Sequence, residues 1–139
     1  MLRRSPRRSV QERLREFRIT DIAGADISPG EWQNTKGINL NSVYYLLHLG
    51  IPELQARGKG SIVTIGSIVA CRGFPGHAAY CASNGALVPL IRQVAMDYAP
   101  EIRANILCPG PVDTPLLWFS AEAFPNPSRL LQMWLNVPP

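Results

Sequence analysis

The chain has 139 residues, of which 46% are hydrophobic and 17% are charged, a composition typical of one globular domain and not of a disordered chain. No apolar run approaches the roughly 18 residues that a membrane-spanning helix needs, so we expect a soluble protein with no membrane partner. The net charge of +4 describes a terminal segment more than the fold, because seven of the fourteen basic residues lie within the first eighteen.

Residues 1–25 begin with an arginine-rich stretch that we interpret as a solvated, poorly ordered N-terminal arm. A nucleic-acid-binding patch and a targeting segment are the functional alternatives. Glu12 and Glu16 weaken the targeting interpretation, because transit peptides contain few acidic residues. No nucleic-acid-binding motif accompanies the basic residues, so no nucleic-acid partner is predicted. The arginines are Arg3, Arg4, Arg7, Arg8, Arg13, Arg15 and Arg18.

The first helix is predicted to begin at Pro29. Asp26 and Ser28 precede this proline, and a capping side chain followed by proline in the first turn is typical of a helix start. Apolar residues then recur at spacings of three and four from about 32 to 55, which predicts a helix with one apolar face. Asn39 lies within that apolar run, so its side chain needs a hydrogen-bonding partner and is either structural or part of a site.

Two short apolar segments, residues 61–65 and 104–108, predict strands buried on both faces of a parallel sheet. The loop at 71–77 leads into a second helix predicted from 78 to 99, which Pro89 should bend or leave with a free carbonyl. Helix, strand, helix, strand in this order predicts an α/β fold with a right-handed parallel crossover. Because two strands are few for an independent sheet, we also expect exposed apolar sheet faces and a tendency to associate.

The C-terminal part has weaker signals. Residues 109–115 contain three prolines and are predicted to be irregular. A weak helical pattern follows at 127–137.

Cysteine and histidine spacing predicts no metal site. The three cysteines, Cys71, Cys81 and Cys108, fit neither a zinc site nor a disulfide framework, so we expect reduced thiols in the cytoplasm. His48 and His77 lack metal-ligand spacing and are interpreted as ordinary surface or hydrogen-bonded residues. A hydrolase using Ser67, His77 and Asp97 is disfavoured, because no Gly-x-Ser-x-Gly turn is present.

Chemistry-bearing residues follow the two predicted strands. Ser67 comes directly after the first strand, Pro109 after the second, and Tyr80 opens the helix between them. Since parallel sheets place their sites at the carboxyl ends of the strands, we expect these residues to cluster at one edge, with Asn39 nearby.

Three stretches resemble the short-chain dehydrogenase/reductase family over about residues 26–139. "GSIVTIGSIVACRGFPGHAAYCASNGAL" resembles the active-site segment, with Ser67 and Tyr80 matching in type and spacing. "KGINLNSVYY" resembles the helix that bears an active-site asparagine, which corresponds to Asn39. "IRANILCPGPVDTP" resembles the segment that faces the nicotinamide. Its matching positions are Pro109, Gly110, Val112 and Thr114.

The resemblance implies a partial, Rossmann-like doubly wound parallel sheet and an oxidoreductase that interconverts alcohol and carbonyl groups with NAD or NADP. It implies that Tyr80 exchanges a proton with the substrate oxygen, that Ser67 holds that oxygen, and that Asn39 supports a proton relay. A small alcohol or carbonyl substrate is the implied partner, and a homo-oligomer through the two long helices is the implied assembly.

The sequence departs from the family pattern in two respects. Asn84 stands where the family has a lysine, which holds the ribose hydroxyls and by its charge lowers the tyrosine pKa. The sequence also contains no Gly-x-x-x-Gly-x-Gly phosphate loop, so we interpret it as a truncated member in which dinucleotide binding is weakened. Three hypotheses stay open: an oxidoreductase of low activity, a non-catalytic interaction fragment, and an unstable gene-model product.

Overall fold

The structure is a computed structural model that describes residues 26–122 and 126–128. The predictions for residues 1–25 and for most of 127–137 lie outside the described residues. The elements in chain order are α1 (Pro29–Lys36), a π-helical turn (Gly37–Asn41), α2 (Ser42–Ala56), β1 (Gly60–Ile65), a 3₁₀ turn (Ile68–Ala70), α3 (Ala78–Asp97), β2 (Ile102–Leu107) and α4 (Pro115–Glu122).

Helix α1 begins where the sequence predicts. Pro29 occupies the first helical position, and the Ser28 hydroxyl accepts a hydrogen bond from the Glu31 N–H at 3.2 Å. The Glu31 carboxylate in turn accepts from the Ser28 N–H at 3.3 Å, which completes a capping box. The predicted helix start is therefore confirmed.

The helical prediction for about residues 32 to 55 is confirmed, but the middle of this segment is not α-helical. The Ser42 N–H donates to the Gly37 carbonyl, five residues earlier, so one turn is π-helical rather than α-helical. The Ser42 hydroxyl donates to the Ile38 carbonyl within the same turn. Val43, Leu46 and Leu47, which give the apolar pattern, all follow this turn, so their spacing does not reveal it.

The two strands pair in parallel, with Ile62 opposite Ala104 and Ile65 opposite Leu107. Helix α3 runs continuously between them in sequence, with Pro89 inside it. This arrangement confirms the predicted α/β class with a parallel sheet. None of the helices in the described part of the chain is both long and apolar enough to cross a membrane.

The core lies on one side of the sheet. Leu47 and Ile51 of α2 pack with Ile91 and Val94 of α3 and with Ile102 of β2. These side chains are buried because both long helices cover the same sheet face.

The opposite sheet face is exposed among the described residues. Val63, Ile65 and Leu107 are 59%, 61% and 54% exposed. The prediction that both strand faces are buried is therefore wrong here, because alternate side chains of a strand point to opposite faces and the described helices cover only one. The expectation of an exposed apolar sheet face is confirmed.

The segment predicted to be irregular, residues 109–115, ends at the start of helix α4. Pro115 is the last residue of this segment, yet it is the first residue of α4. The Thr114 hydroxyl accepts a hydrogen bond from the Leu117 N–H at 3.4 Å, as a capping residue does. Proline is favoured at the first helical position, since its missing N–H has no partner there in any helix.

Candidate active site

A cavity of about 200 Å³ opens at the carboxyl ends of the two strands. It is lined by six of the seven residues that the sequence singles out. These are Ser67, Tyr80, Pro109, Gly110, Val112 and Thr114. The structure thus brings together residues from the β1 end, the first turn of α3 and the segment after β2, and their chemical roles stay a prediction.

Two backbone hydrogen bonds hold the ends of the strands together beneath this cavity. The Gly66 N–H donates to the Leu107 carbonyl at 2.7 Å, and the Ile68 N–H donates to the Pro109 carbonyl at 2.9 Å. The parallel pairing therefore continues past β1 and fixes Ser67 beside the segment that starts at Pro109.

The Ser67 hydroxyl is oriented by its own turn. Its backbone is extended, and its oxygen accepts a hydrogen bond from the Val69 N–H at 3.4 Å. A hydroxyl has one hydrogen and two acceptor lone pairs, so accepting this bond leaves its hydrogen available as a donor. The hydroxyl can therefore donate to an oxygen placed in the cavity.

His77 is a cavity residue that the sequence interpretation missed. It is only 5% exposed and immediately precedes α3, and its ring lies edge-on to the Tyr80 ring at 6.3 Å between centroids. Its Nδ1 is 2.5 Å from the Pro75 carbonyl oxygen, which can only accept, so this nitrogen carries the hydrogen. His77 is hydrogen-bonded as expected but is not a surface residue. Its position three residues before Tyr80 was the available signal, because such pairs share a helix side.

Asn39 lies beside the site and not in the cavity lining. Its amide Nδ2 donates to the Ser83 hydroxyl of α3 at 3.2 Å. The expectation that this polar side chain finds a hydrogen-bonding partner is confirmed. Its predicted role in a proton relay stays a prediction.

Asn84 occupies the position where the family pattern has lysine, and its side chain turns to its own helix. Its amide Nδ2 donates to the Tyr80 carbonyl at 3.0 Å, and the residue is 5% exposed. Asn84 is not among the residues that line the cavity.

The segment after β2 is held by short-range hydrogen bonds. The Thr114 hydroxyl donates to the Val112 carbonyl at 3.2 Å, and the Trp118 indole N–H donates to the Asp113 carboxylate at 2.7 Å. These bonds fix the shape of the cavity wall that Val112 and Thr114 form.

The described cavity lining contains no lysine, arginine, aspartate or glutamate. Within the described ranges, no group of three or more histidine, cysteine or acidic residues could hold a metal ion. The polar groups of the cavity are hydroxyls, an imidazole and main-chain groups, which recognise neutral oxygen atoms by hydrogen bonding.

Comparison with known proteins identifies the family. The family model described as enoyl-(acyl carrier protein) reductase matches residues 18–139. Dehydrogenase/reductase SDR family member 6 from Xenopus laevis is 31% identical over 112 residues, which are 79% of this chain and 46% of that protein.

Two solved structures show the same fold. Aldohexose dehydrogenase from Thermoplasma acidophilum, in ligand-free form, is 34% identical with a TM-score of 0.70, covering 80% of this chain and 44% of that one. Carveol dehydrogenase from Mycobacterium avium, in complex with NAD, is 28% identical with a TM-score of 0.67, covering 73% of this chain and 37% of that one. The chain spans less than half the length of these relatives, and by the family match over residues 18–139 it belongs to the short-chain dehydrogenase/reductase family.

Proposed function

We propose that this chain carries the substrate side of an NAD- or NADP-dependent oxidoreductase that interconverts an alcohol and a carbonyl group, with low turnover by the chain alone. The observation that supports it best is that Ser67 and Tyr80 line one cavity with the Pro109–Thr114 segment. A hydroxyl donor, an acid–base phenol and a cofactor-facing wall in one cavity are the parts that this reaction needs.

The chemistry of the site concerns one substrate oxygen. In the direction of carbonyl reduction, the Tyr80 phenol donates its proton to the oxygen that becomes the alcohol. The Ser67 hydroxyl donates a hydrogen bond to the same oxygen and stabilises the charge that develops there. When bound, the dinucleotide supplies or accepts the hydride.

The residues fit one end of a dinucleotide and not the other. Pro109, Gly110, Val112 and Thr114 form a mostly apolar wall suited to a nicotinamide ring. The described cavity lining has no cation for a diphosphate, and the first turn of α1 is already closed by the Glu31 carboxylate. Binding is therefore proposed for the nicotinamide end, and low affinity is expected because the described cavity lining and the first turn of α1 offer no free group to a diphosphate.

The proposed substrate is small, uncharged and largely apolar. Val69, Phe74 and Leu117 contribute to the lining, and no charged side chain joins them. A carboxylate or phosphate entering this cavity would lose hydration without gaining a charged partner, which is costly. Neutral ketones, aldehydes and secondary alcohols fit this lining.

A second candidate is a non-catalytic role in association through the long helices. Tyr44, Tyr45, Leu46 and Leu49 of α2 are exposed, and they give that helix a large apolar surface. Contiguous exposed apolar surface is typical of protein–protein contacts.

The test uses the purified 139-residue chain. NADH and NADPH are added up to millimolar concentration, and oxidation is followed with neutral ketones and aldehydes against keto acids of equal size. We expect slow turnover confined to the neutral compounds, lost in Tyr80→Phe and reduced in Ser67→Ala, with Tyr44→Phe as the matched control. Absence of turnover at saturating concentrations, or turnover unchanged in Tyr80→Phe, would overturn the proposal and favour the association role.

A further inference from the structure

Side-chain donors converge on the main-chain carbonyl of Tyr80. The Ser83 hydroxyl donates to this oxygen at 2.9 Å and the Asn84 amide at 3.0 Å. Ser83 in turn accepts a hydrogen bond from the Asn39 amide at 3.2 Å. Ser83 and Asn84 are only 1% and 5% exposed, so water does not compete strongly for these bonds.

This carbonyl receives more donors than helix geometry requires. In an α-helix the Tyr80 carbonyl accepts from the N–H of Asn84, four residues later. The Ser83 hydroxyl and the Asn84 amide add two side-chain donors at the same oxygen, and these restrain its position further. The first turn of α3, from which Tyr80 lines the cavity, is thereby held by side chains that are not part of the cavity lining.

The Asn84 amide is directed to its own helix and not to the cavity. The side chain is short and ends at the carbonyl of its own helix, and it is absent from the cavity lining. An amide nitrogen committed to a buried carbonyl would leave that contact to reach a ligand, which costs the desolvation of both groups.

We infer that Ser83 and Asn84 are positioning residues for Tyr80, and that Asn39 joins this set by anchoring the π-helical turn to Ser83. The inference rests on the proposed function, because a fixed Tyr80 ring matters for catalysis only if Tyr80 is the acid–base residue. The position of the ring can nevertheless be tested without measuring turnover. Position 84, where the family pattern has a lysine, thus carries a side chain that holds the first turn of α3 in place.

The experiment follows Tyr80 by NMR in the full chain. Tyrosine is labelled with ¹³C at Cζ, and the Tyr80 resonance is identified by its loss in Tyr80→Phe. We expect one sharp Tyr80 resonance in the native chain, and a shifted or exchange-broadened resonance in Asn84→Leu and in Ser83→Ala. Ser83→Thr keeps the hydroxyl and is expected to keep the native resonance.

Gln93→Leu is the matched control, because it removes the hydrogen bond of 2.6 Å that the Gln93 amide donates to the Asp97 carboxylate on the exposed side of the same helix. It should leave the Tyr80 resonance unchanged. In Asn84→Leu we also expect about a fivefold loss of hydrogen-exchange protection in the first turns of α3 and none at its end.

The outcomes separate the inference from the proposed function. A native Tyr80 resonance in both folded Asn84→Leu and Ser83→Ala overturns the inference, whatever the activity. If Asn84→Leu does not fold, the comparison of the Tyr80 resonance in Ser83→Ala with that in Ser83→Thr tests the inference. A displaced Tyr80 resonance in a chain that binds no dinucleotide supports the positioning role while contradicting the proposed function.

Discussion

Asn39 and Ser83, 44 residues apart in sequence, are joined by a hydrogen bond of 3.2 Å between the amide nitrogen and the hydroxyl. The bond links the π-helical turn to α3 next to the candidate site. Extra residues in π-helical turns often occur at functional sites, where they re-aim a side chain. Here the turn directs Asn39 to α3 and not to the cavity.

This link predicts an energetic coupling between the two residues. In a double-mutant cycle of Asn39→Ala and Ser83→Ala, we expect a coupling free energy of about 0.5–1.5 kcal/mol, the range for a partly buried neutral hydrogen bond. Urea unfolding followed by circular dichroism gives the free energies of unfolding of the native chain, the two single variants and the double variant. The exposed pair of Gln93 and Asp97 is the comparison and should couple by less than about 0.5 kcal/mol. Equal coupling of the two pairs would contradict the prediction.

A second prediction concerns the approach of α2 to β1. A Cβ atom at Gly60 would lie 2.8 Å from Leu54 Cδ1 and 3.0 Å from Leu54 Cβ, distances too short for carbon atoms. We therefore expect Gly60→Ala to lower the free energy of unfolding by about 1–3 kcal/mol through overpacking, as measured by denaturant titration.

The control for this substitution lies in the same helix–strand region. Gly50 of α2 has no atom within 4 Å of the position that its Cβ would take. Gly50→Ala should therefore raise the free energy of unfolding by about 0.5–1 kcal/mol, because alanine restricts the unfolded chain and favours a helix. In the double variant Leu54→Ala/Gly60→Ala, the shorter side chain at position 54 should remove the steric clash. Gly60→Ala should then cause no overpacking loss in the free energy of unfolding. A Gly60→Ala variant as stable as the native chain would show that the helix moves freely.

The exposed sheet face predicts self-association. Val63, Ile65 and Leu107 present an apolar patch on the side of the sheet that no described helix covers, and such patches drive association in water. Sedimentation velocity at rising concentration should show oligomers of the native chain and a shift toward monomer in Ile65→Lys. Met96→Lys, at an exposed position of α3, should not shift the distribution. A native chain that stays monomeric at high concentration would contradict this expectation.

The parts of the fold that the sequence predicted are those with strong local signals. The two strands were recognisable from short apolar runs, and α3 from its long spacing pattern, so Ser67, Tyr80 and Pro109 could be placed at one edge. The three prolines of residues 109–115 predict an irregular segment, so the sequence does not reveal that Pro115 is the first residue of α4. The direction of the Asn84 amide could not be predicted, because a side chain in the first turns of a helix can face either a cavity or its own backbone, and tertiary packing decides.

The last prediction concerns lysine at position 84. The native Asn84 is buried and its amide holds the Tyr80 carbonyl. Asn84→Lys removes the hydrogen bond from the amide to the Tyr80 carbonyl and introduces a longer, charged side chain. An ammonium group that stays buried without a partner is strongly disfavoured. We expect the free energy of unfolding to fall by about 1–3 kcal/mol in denaturant titrations. Gln93→Lys, at an exposed position of the same helix, should stay within about 0.5 kcal/mol of the native value.

The same variant should not gain dinucleotide affinity, although it restores the residue type that the family pattern has at this position. The described cavity lining contains no cation, and the first turn of α1 is occupied by Glu31, so one lysine near the ribose does not supply the diphosphate contacts. Fluorescence titration with NADH and NADPH is therefore expected to give weak binding in both native chain and Asn84→Lys. Micromolar binding by the native chain would contradict the proposed low affinity. Turnover that appears only in Asn84→Lys and disappears in Asn84→Lys/Tyr80→Phe would show that the charge at position 84 was the missing component, because Tyr80 would then be placed correctly without the Asn84 amide.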